Sequence, residues 1–437
     1  MNYQESLEFI SSLPRFSPSS VKPGEDPFNL DSIRELMRRL GNPQDKLKFV
    51  HIAGTNGKGS TAAFINQIMI EGGYKVGLYT SPFIEHFTER IKINNEEIPE
   101  ETLAEIASEV RLVCEEMISA GIKAPSEFEI VCAIGFIYFA RKNCDLVVLE
   151  VGLGGRLDAT NVIGSSLLSV ITTISLDHTE VLGDTLEKIA AEKAGIIKKD
   201  GEVLLYPCKP SVEAVFENVC RQKNARLSRA IMPKTVESAD INGQVFDLGF
   251  GGHKFKIKML GTYQVFNAAM AVQAALSLQL KGFKLTYKNI QDGLENARWP
   301  GRFEVLQTDP AVIIDGSHNE EGVKALKSSI EHYFPHQKII FITGVLADKN
   351  YREMMSDIVP FAKRFYTITP PTPRALPAES LADMLKSISD AEVYSCESVK
   401  SAVRQALSEA EEDDIIIAFG SLYYIGEIRG MKGTILK

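Results

Sequence analysis

The sequence is poor in the features that mark several protein classes. Its six cysteines (Cys114, Cys132, Cys144, Cys208, Cys220 and Cys396) are scattered and form no Cys-x-x-Cys pair. That distribution suggests neither a disulfide framework nor a zinc knuckle, and it fits a reducing compartment. Basic charge is in deficit: 48 Lys and Arg stand against 57 Asp and Glu, a formal net charge of −9. A broad basic surface for phosphate backbones is thereby excluded, and no nucleic acid partner is expected. Small anionic ligands stay compatible, because a few placed cations suffice to bind them. The segment Met1 to Ile10 carries Glu5 and Glu8 and no basic start ahead of an apolar run, so it does not read as a secretory leader. No membrane span is expected, and a cytoplasmic location follows. Internal repeats of about 20 to 50 residues and low-complexity segments are also lacking.

What is present is an ordinary globular composition, 44% hydrophobic and 24% charged over 437 residues, enough for two or three domains. Pro14, Pro18, Pro23, Gly24 and Pro27 make a turn-rich approach to a helix predicted over Leu30 to Leu40. From Lys48 onward, short apolar runs alternate with helical patterns, the signature of an α/β fold with a mostly parallel sheet. Strands are predicted at Phe49–Ile52, Val76–Tyr79, Leu146–Val151, Leu168–Ile174 and Val203–Tyr206. A small antiparallel hairpin is predicted from Val245–Phe250 and Phe255–Met259 around a Gly251-Gly252 turn. Helices follow at Val265–Leu280 and Ile290–Asn296, and Trp299-Pro300-Gly301 marks a boundary between domains of residues 1–297 and 298–437. Beyond it the alternation restarts, with strands near Val312–Ile314, Ile339–Ile342, Phe365–Ile368, Glu392–Tyr394 and Ile415–Phe419. This second, smaller unit reads as a Rossmann-like α/β domain.

The strongest chemical signal is Gly54-Thr55-Asn56-Gly57-Lys58-Gly59-Ser60, between a buried strand and a helix expected from about Thr61. Glycines let backbone amides curl around phosphate oxygens, a helix N-terminus adds positive potential, a lysine meets terminal phosphates and a hydroxyl reaches a metal. Lys58 and Ser60 are the candidates for the last two roles. The spacing departs from the general phosphate-loop pattern, since Gly59 separates the lysine from the serine. A glycine-rich turn that binds nothing is the bland alternative.

Ligands in open α/β sheets sit beyond the carboxyl ends of strands. Ser81 follows one predicted strand, Glu150 ends another, and Asp177-His178 follow a third. Magnesium prefers oxygen donors, which suits Glu150 and Ser81. Imidazole is more usual on transition metals, so His178 by itself reads equally as a structural hydrogen-bonder, and Asp177 as a turn former.

These residues carry a resemblance. Gly54 to Ser60, Thr80-Ser81-Pro82, the run Leu149 to Asn161, Leu176 to Thr179, Glu192 to Gly195, Asn267, Pro300-Gly301-Arg302 and Asp315 to Asn319 resemble the folylpolyglutamate synthase and dihydrofolate synthase family, relatives of the Mur ligases. The resemblance runs nearly end to end. It implies an ATP-dependent amide ligase that adds L-glutamate to folates, and to dihydropteroate, through an acyl phosphate. It further implies an N-terminal P-loop ATPase domain at 1–297 and a C-terminal ligase domain at 298–437. By the same resemblance Ser81, Glu150 and His178 ligate Mg2+, and Gly54 to Ser60 hold the phosphates of ATP. Asn267, Arg302 and Asp315 meet the nucleotide from the far side. His318 lies near the incoming amino acid, where it or Asp315 orients or deprotonates the amine. Lys193 matches a lysine that is carbamylated in the family, and Phe128 and Asp158 fall at folate-binding positions. Ser317 departs from the family pattern, where alanine is more usual. The implied partners are ATP, L-glutamate and folate or dihydropteroate, bound by a monomer. Two other readings stand at this point: a Mur-type ligase acting on another carboxylate, and a P-loop kinase or nucleotide-binding module.

Overall fold

The computed structural model describes residues 1–14, 29–249 and 252–436. Pro18, Pro23, Gly24 and Pro27 of the turn-rich stretch lie outside the described residues, as do Phe250 and Gly251 of the expected hairpin turn. The chain separates into two compact units, one made of Met1–Phe83, Phe87–Met232 and Phe266–Ala297, the other of Ile84–His86, Pro233–Val265 and Arg298–Lys437.

The first unit is built on an eight-stranded sheet. Its strands are β1 (Phe49–Ala53), β2 (Val76–Tyr79), β3 (Ile91–Ile93), β4 (Glu96–Glu97), β5 (Leu146–Glu150), β6 (Leu168–Ile171), β7 (Glu202–Leu205) and β8 (Arg226–Arg229). They run in the order β4-β3-β2-β5-β1-β6-β7-β8, parallel except for the β2-β3-β4 meander. Every residue of β1, β2, β5, β6 and β7 is buried, which is why each reads as a continuous apolar run rather than an alternation. β3, β4 and β8 are short or polar edge strands without such a run, and the sequence reading missed them. β6 stops at Ile171 instead of Ile174, because the side chains of Thr172 and Thr173 turn to the neighbouring loop. The helix after β1 begins at Lys58, three residues earlier than predicted, since Gly57 adopts φ +82° and starts it. Against this helix packs Tyr287–Asn296, whose Gly293 lies so close that a Cβ there would sit 2.4 Å from Ile68 Cα.

The second unit contains two sheets. β9 (Thr235–Asp240), β10 (Gly243–Asp247) and β11 (Lys254–Ile257) form an antiparallel sheet of order β11-β10-β9. The hairpin is therefore three strands, and it belongs with the second unit, not the first as the sequence suggested. Its attachment is physical: the Thr262 amide donates to Ser329 Oγ at 3.2 Å, His332 Nε2 bonds the Ala239 carbonyl at 3.0 Å, and Leu260 joins the core of the C-terminal sheet. That sheet comprises β12 (Glu304–Thr308), β13 (Ala311–Ile314), β14 (Ile339–Thr343), β15 (Ala362–Thr367), β16 (Glu392–Ser395) and β17 (Ile415–Phe419), ordered β12-β13-β17-β14-β15-β16. All pairs are parallel except β12 with β13, an antiparallel edge with a register shift that no sequence pattern announced. Apolar clusters cover both faces. Ile84 packs into one of them although it follows β2 in the chain, and Arg429 pairs with both Glu85 and Glu304.

The stretch from Met259 to Leu280 carries no charge, yet among the described residues no helix is long and apolar enough to cross a membrane.

Candidate functional site

The parallel register sets Ile52 beside Glu150 and Ala53 beside Ile171, so the loops that leave β1, β5 and β6 emerge together at one end of the first unit's sheet. Gly54 and Gly57 have φ of +156° and +82°. A Cβ on Gly54 would lie 1.7 Å from Thr172 Oγ1, and one on Gly57 would lie 2.5 Å from Asn267 Oδ1. Only glycine fits either place, on grounds of space and, at Gly57, of backbone conformation. Asn267 therefore stands against the phosphate loop within the first unit, whereas Arg302 and Asp315 belong to the second.

The loop is held from the side by the residues after β6. The Thr55 amide donates to the Thr173 carbonyl at 2.7 Å, while Thr55 Oγ1 donates to the Ser175 carbonyl and accepts the Ser175 amide, both at 3.1 Å. Thr172 Oγ1 donates to the Asn56 carbonyl at 2.7 Å. Sequence reasoning missed Thr172, Thr173 and Ser175, for which the one available signal was a hydroxyl cluster directly after a buried strand. Lys58 Nζ folds back to donate to the carbonyls of Gly54 and Thr55, each at 3.1 Å. Ser60 is buried in the first turn of the helix, and the amides of this turn, from Gly59 onward, are the donors that a helix N-terminus presents to an anion.

Lys193 reaches the same place from the helix Leu186–Ala194. It is 4% exposed, and its Nζ donates to the Gly54 carbonyl at 2.9 Å. Burial first, and the positive charge of Lys58 second, bring its ammonium down to about 7. Two amines thus converge on one carbonyl, and that of Lys193 is poised to lose its proton near neutrality.

Glu150 ends β5 with 4% exposure, and its Oε2 accepts the Ser81 amide at 3.1 Å. The structure brings these two predicted ligands together. His178 follows β6 in a left-handed conformation, φ +50°, with its amide on Asp177 Oδ1 at 2.9 Å. The pair Glu150 and Ser81 offers oxygen donors beside the phosphate loop, a set that suits magnesium, which takes few protein ligands and completes its shell from phosphate and water.

Phe128 and Asp158 also come together. Phe128, on the helix Glu127–Arg141, packs edge-on to Tyr79 at 6.1 Å. A Cβ on Gly152 would lie 2.5 Å from Phe128 Cζ and 3.2 Å from Asp158 Oδ2, so the bare glycine lets the ring edge and the carboxylate oxygen close in on the same backbone position. Nearby in the chain's fold, next to Glu127 of the same helix at 4.0 Å, Arg90 lies over Phe83 and Phe87 at 5.6 and 5.3 Å. Its Nε and Nη1 are buried without a hydrogen-bond partner.

In the second unit Asp315 ends β13 at 1% exposure. Its Oδ2 accepts the Phe303 amide at 2.8 Å and Tyr263 Oη at 3.0 Å, while Oδ1 accepts the Ser317 amide at 2.9 Å and the Ser317 hydroxyl. Four donors occupy the roughly four acceptor positions of a carboxylate. The serine that departs from the family pattern is thus one of Asp315's partners. Burial first and Asp315 second raise the Tyr263 hydroxyl well above its usual range. Arg302 Nη1 donates to the Gly301 carbonyl at 3.0 Å and lies against Gly316, where a Cβ would be 2.0 Å away. His318 Nδ1 lies 2.8 Å from the Gly316 carbonyl, an acceptor, which makes Nδ1 the protonated nitrogen and Nε2 the basic one.

Comparison with known proteins gives consistent matches. The Mur ligase middle domain matches residues 52–275, and the Mur ligase, glutamate ligase domain matches residues 301–422. The dihydrofolate synthase/folylpolyglutamate synthase of Bacillus subtilis is 35% identical over 435 residues, covering 98% of each chain. Among solved structures, Mycobacterium tuberculosis folylpolyglutamate synthase complexed with ADP superposes with a TM-score of 0.88 at 28% identity, covering 99% of this chain and 98% of that one. An FPGS complex with AMPPCP and folate gives a TM-score of 0.83 at 32% identity, covering 98% and 99%.

Proposed function

Since the chain belongs to the folylpolyglutamate synthase and dihydrofolate synthase family of ATP-dependent Mur ligases, we propose that it joins the amine of L-glutamate to the carboxylate of a folate, and to that of dihydropteroate. The observation that carries this reading is the register of β1 with β5, which sets the phosphate loop beside the loop from Glu150 to Asp158. A nucleotide phosphate and an acceptor carboxylate can meet there.

Amide formation from a carboxylate in water is uphill, and the carboxylate is a poor electrophile. Attack of a carboxylate oxygen on the γ-phosphate of ATP releases ADP and leaves an acyl phosphate. The glutamate amine then attacks the acyl carbon, phosphate departs, and the amine gives up a proton. Lys58 and the amides of the first helical turn balance the charge that builds on the phosphates. When bound, magnesium on Glu150, Ser81 and His178 adds charge neutralisation at the same oxygens. Asn267 lines the phosphate loop. The amine proton goes to His318 Nε2 in preference to Asp315, whose acceptor positions are filled by Phe303, Tyr263 and Ser317. Lys193, brought down to about 7, has a neutral amine available to add CO2 and release a proton, forming a carbamate. The acceptor's ring system lies beside Phe128 and Asp158, with Arg90 as a nearby cation for its anionic portion. The enzyme is a cytoplasmic monomer serving small-molecule substrates.

The test is incubation with ATP, magnesium, L-glutamate and either tetrahydrofolate or dihydropteroate, with the products weighed by mass spectrometry. Glutamyl adducts of both acceptors are expected, with ADP formed in step. A phosphorylated acceptor made without glutamate identifies a kinase, and the absence of any product identifies a binding protein; each result overturns the reading.

A further inference from the structure

His51 sits in the middle of β1, between Val50 and Ile52, at 0% exposure. A strand buried on both faces is ordinarily apolar throughout, so an imidazole there asks for a reason. Burial first and the charge of Lys198 second push its pKa well below the usual range. Its Nε2 lies 2.9 Å from Thr160 Oγ1, and its Nδ1 has no hydrogen-bond partner. Thr160 Oγ1 lies 2.5 Å from Asp158 Oδ1, which as a carboxylate oxygen only accepts. The threonine hydroxyl therefore donates to Asp158, and it accepts from His51 Nε2–H.

The chain of donors runs in one direction: His51, Thr160, Asp158. The Thr160 amide adds a second donor to the same Oδ1 at 3.0 Å, so Thr160 holds this oxygen twice. The other oxygen, Oδ2, takes the Leu153 amide at 2.9 Å and faces the bare Gly152, against which Phe128 Cζ also packs. A buried ring nitrogen without a partner is a cost to stability. Among the described residues, the ring's one hydrogen bond is that to Thr160.

We propose that His51 and Thr160 are positioning residues for the acceptor substrate, a buried relay that locks the rotation of the Asp158 carboxylate and presents Oδ2 to N–H donors of a heterocycle lying beside Phe128. The proposal rests on the reading of Phe128 and Asp158 as the acceptor cradle. Preorganisation of this kind lowers the ordering cost of binding for the acceptor alone and leaves ATP untouched.

Steady-state kinetics with tetrahydrofolate as acceptor test it. Thr160→Val keeps the side-chain shape and removes the hydroxyl. It is expected to raise the acceptor KM about tenfold while the ATP and glutamate values stay within about twofold. Thr160→Ser, which retains the hydroxyl, is expected to restore the acceptor KM. In an Asp158→Ala background, adding Thr160→Val is expected to produce no further rise, because the threonine acts through the carboxylate. If Thr160→Val does not fold, His51→Leu/Thr160→Val carries the same test without an orphaned N–H. An unchanged acceptor KM in the valine variant, alongside a raised one in Asp158→Ala, overturns the relay and leaves the cradle standing. A fully additive rise in the double variant also overturns it. An unchanged KM in Asp158→Ala removes the cradle reading, and the relay with it.

Discussion

Lys193 holds a positive charge where water scarcely reaches, and its neighbour Lys58 makes that charge harder to keep. Its ordinary pKa of 10.5 falls to about 7. Below pH 7 the folded protein bears the full penalty of a buried cation. Between about 7 and 10.5 the unfolded chain binds a proton that the folded chain does not, so this group makes stability rise with pH across that window. Lys193→Met is accordingly expected to be more stable than the wild type at about pH 6, by roughly 1–4 kcal/mol, with the advantage shrinking toward pH 10. Urea unfolding of both proteins at a series of pH values measures it, and a difference that does not vary with pH removes the assignment. The residue types at the site were legible in the sequence, because a lysine and a serine at a glycine-rich strand-to-helix turn have few other uses. Their burial and partners were not, since nothing local tells that Lys193 reaches Gly54 from more than a hundred positions away.

Elements, more than single side chains, shape the phosphate loop. β1 delivers it, the helix from Lys58 receives it, and the segment after β6 clamps it through Thr172, Thr173 and Ser175. Thr172→Val removes the bond to the Asn56 carbonyl while keeping the β-branched shape. It is expected to raise the KM for ATP about three- to tenfold, the worth of one hydrogen bond. The melting temperature is expected to move by no more than about 4 °C, since the strand itself ends at Ile171. Calorimetry and ATP titration separate the two effects, and an unchanged KM discards the clamp. The buried parallel strands could be read from their apolar runs. The strands that escaped notice, β3, β4, β8, β9 and β12, are short, polar or irregular, and form because a neighbour offers unpaired backbone groups.

For the whole molecule, the net charge of −9 and the anionic character of ATP, folate and glutamate oppose long-range attraction. On the proposed reading binding rests on local cations such as Lys58, close to their ligands, where screening is weak. Raising the ionic strength from about 50 to about 300 mM is therefore expected not to lower kcat/KM for ATP by more than about twofold. A steep fall in a stopped assay of ADP release would point to a steering surface instead. The amino-acid sequence by itself determined the α/β class, the parallel sheets, the phosphate loop and its family, because each depends on local composition and near-neighbour spacing. Tertiary structure alone decided that the antiparallel segment packs with the second unit, that Asn267 stands over Gly57, that Asp315 is filled by Tyr263, Phe303 and Ser317, and that His51 reaches Asp158 through Thr160. Apart from the local bonds of Ser317 to Asp315 and of Thr160 to Asp158, those contacts join residues well separated in the chain, and their energies come from burial and hydrogen-bond satisfaction, which exist only once the sheets have formed.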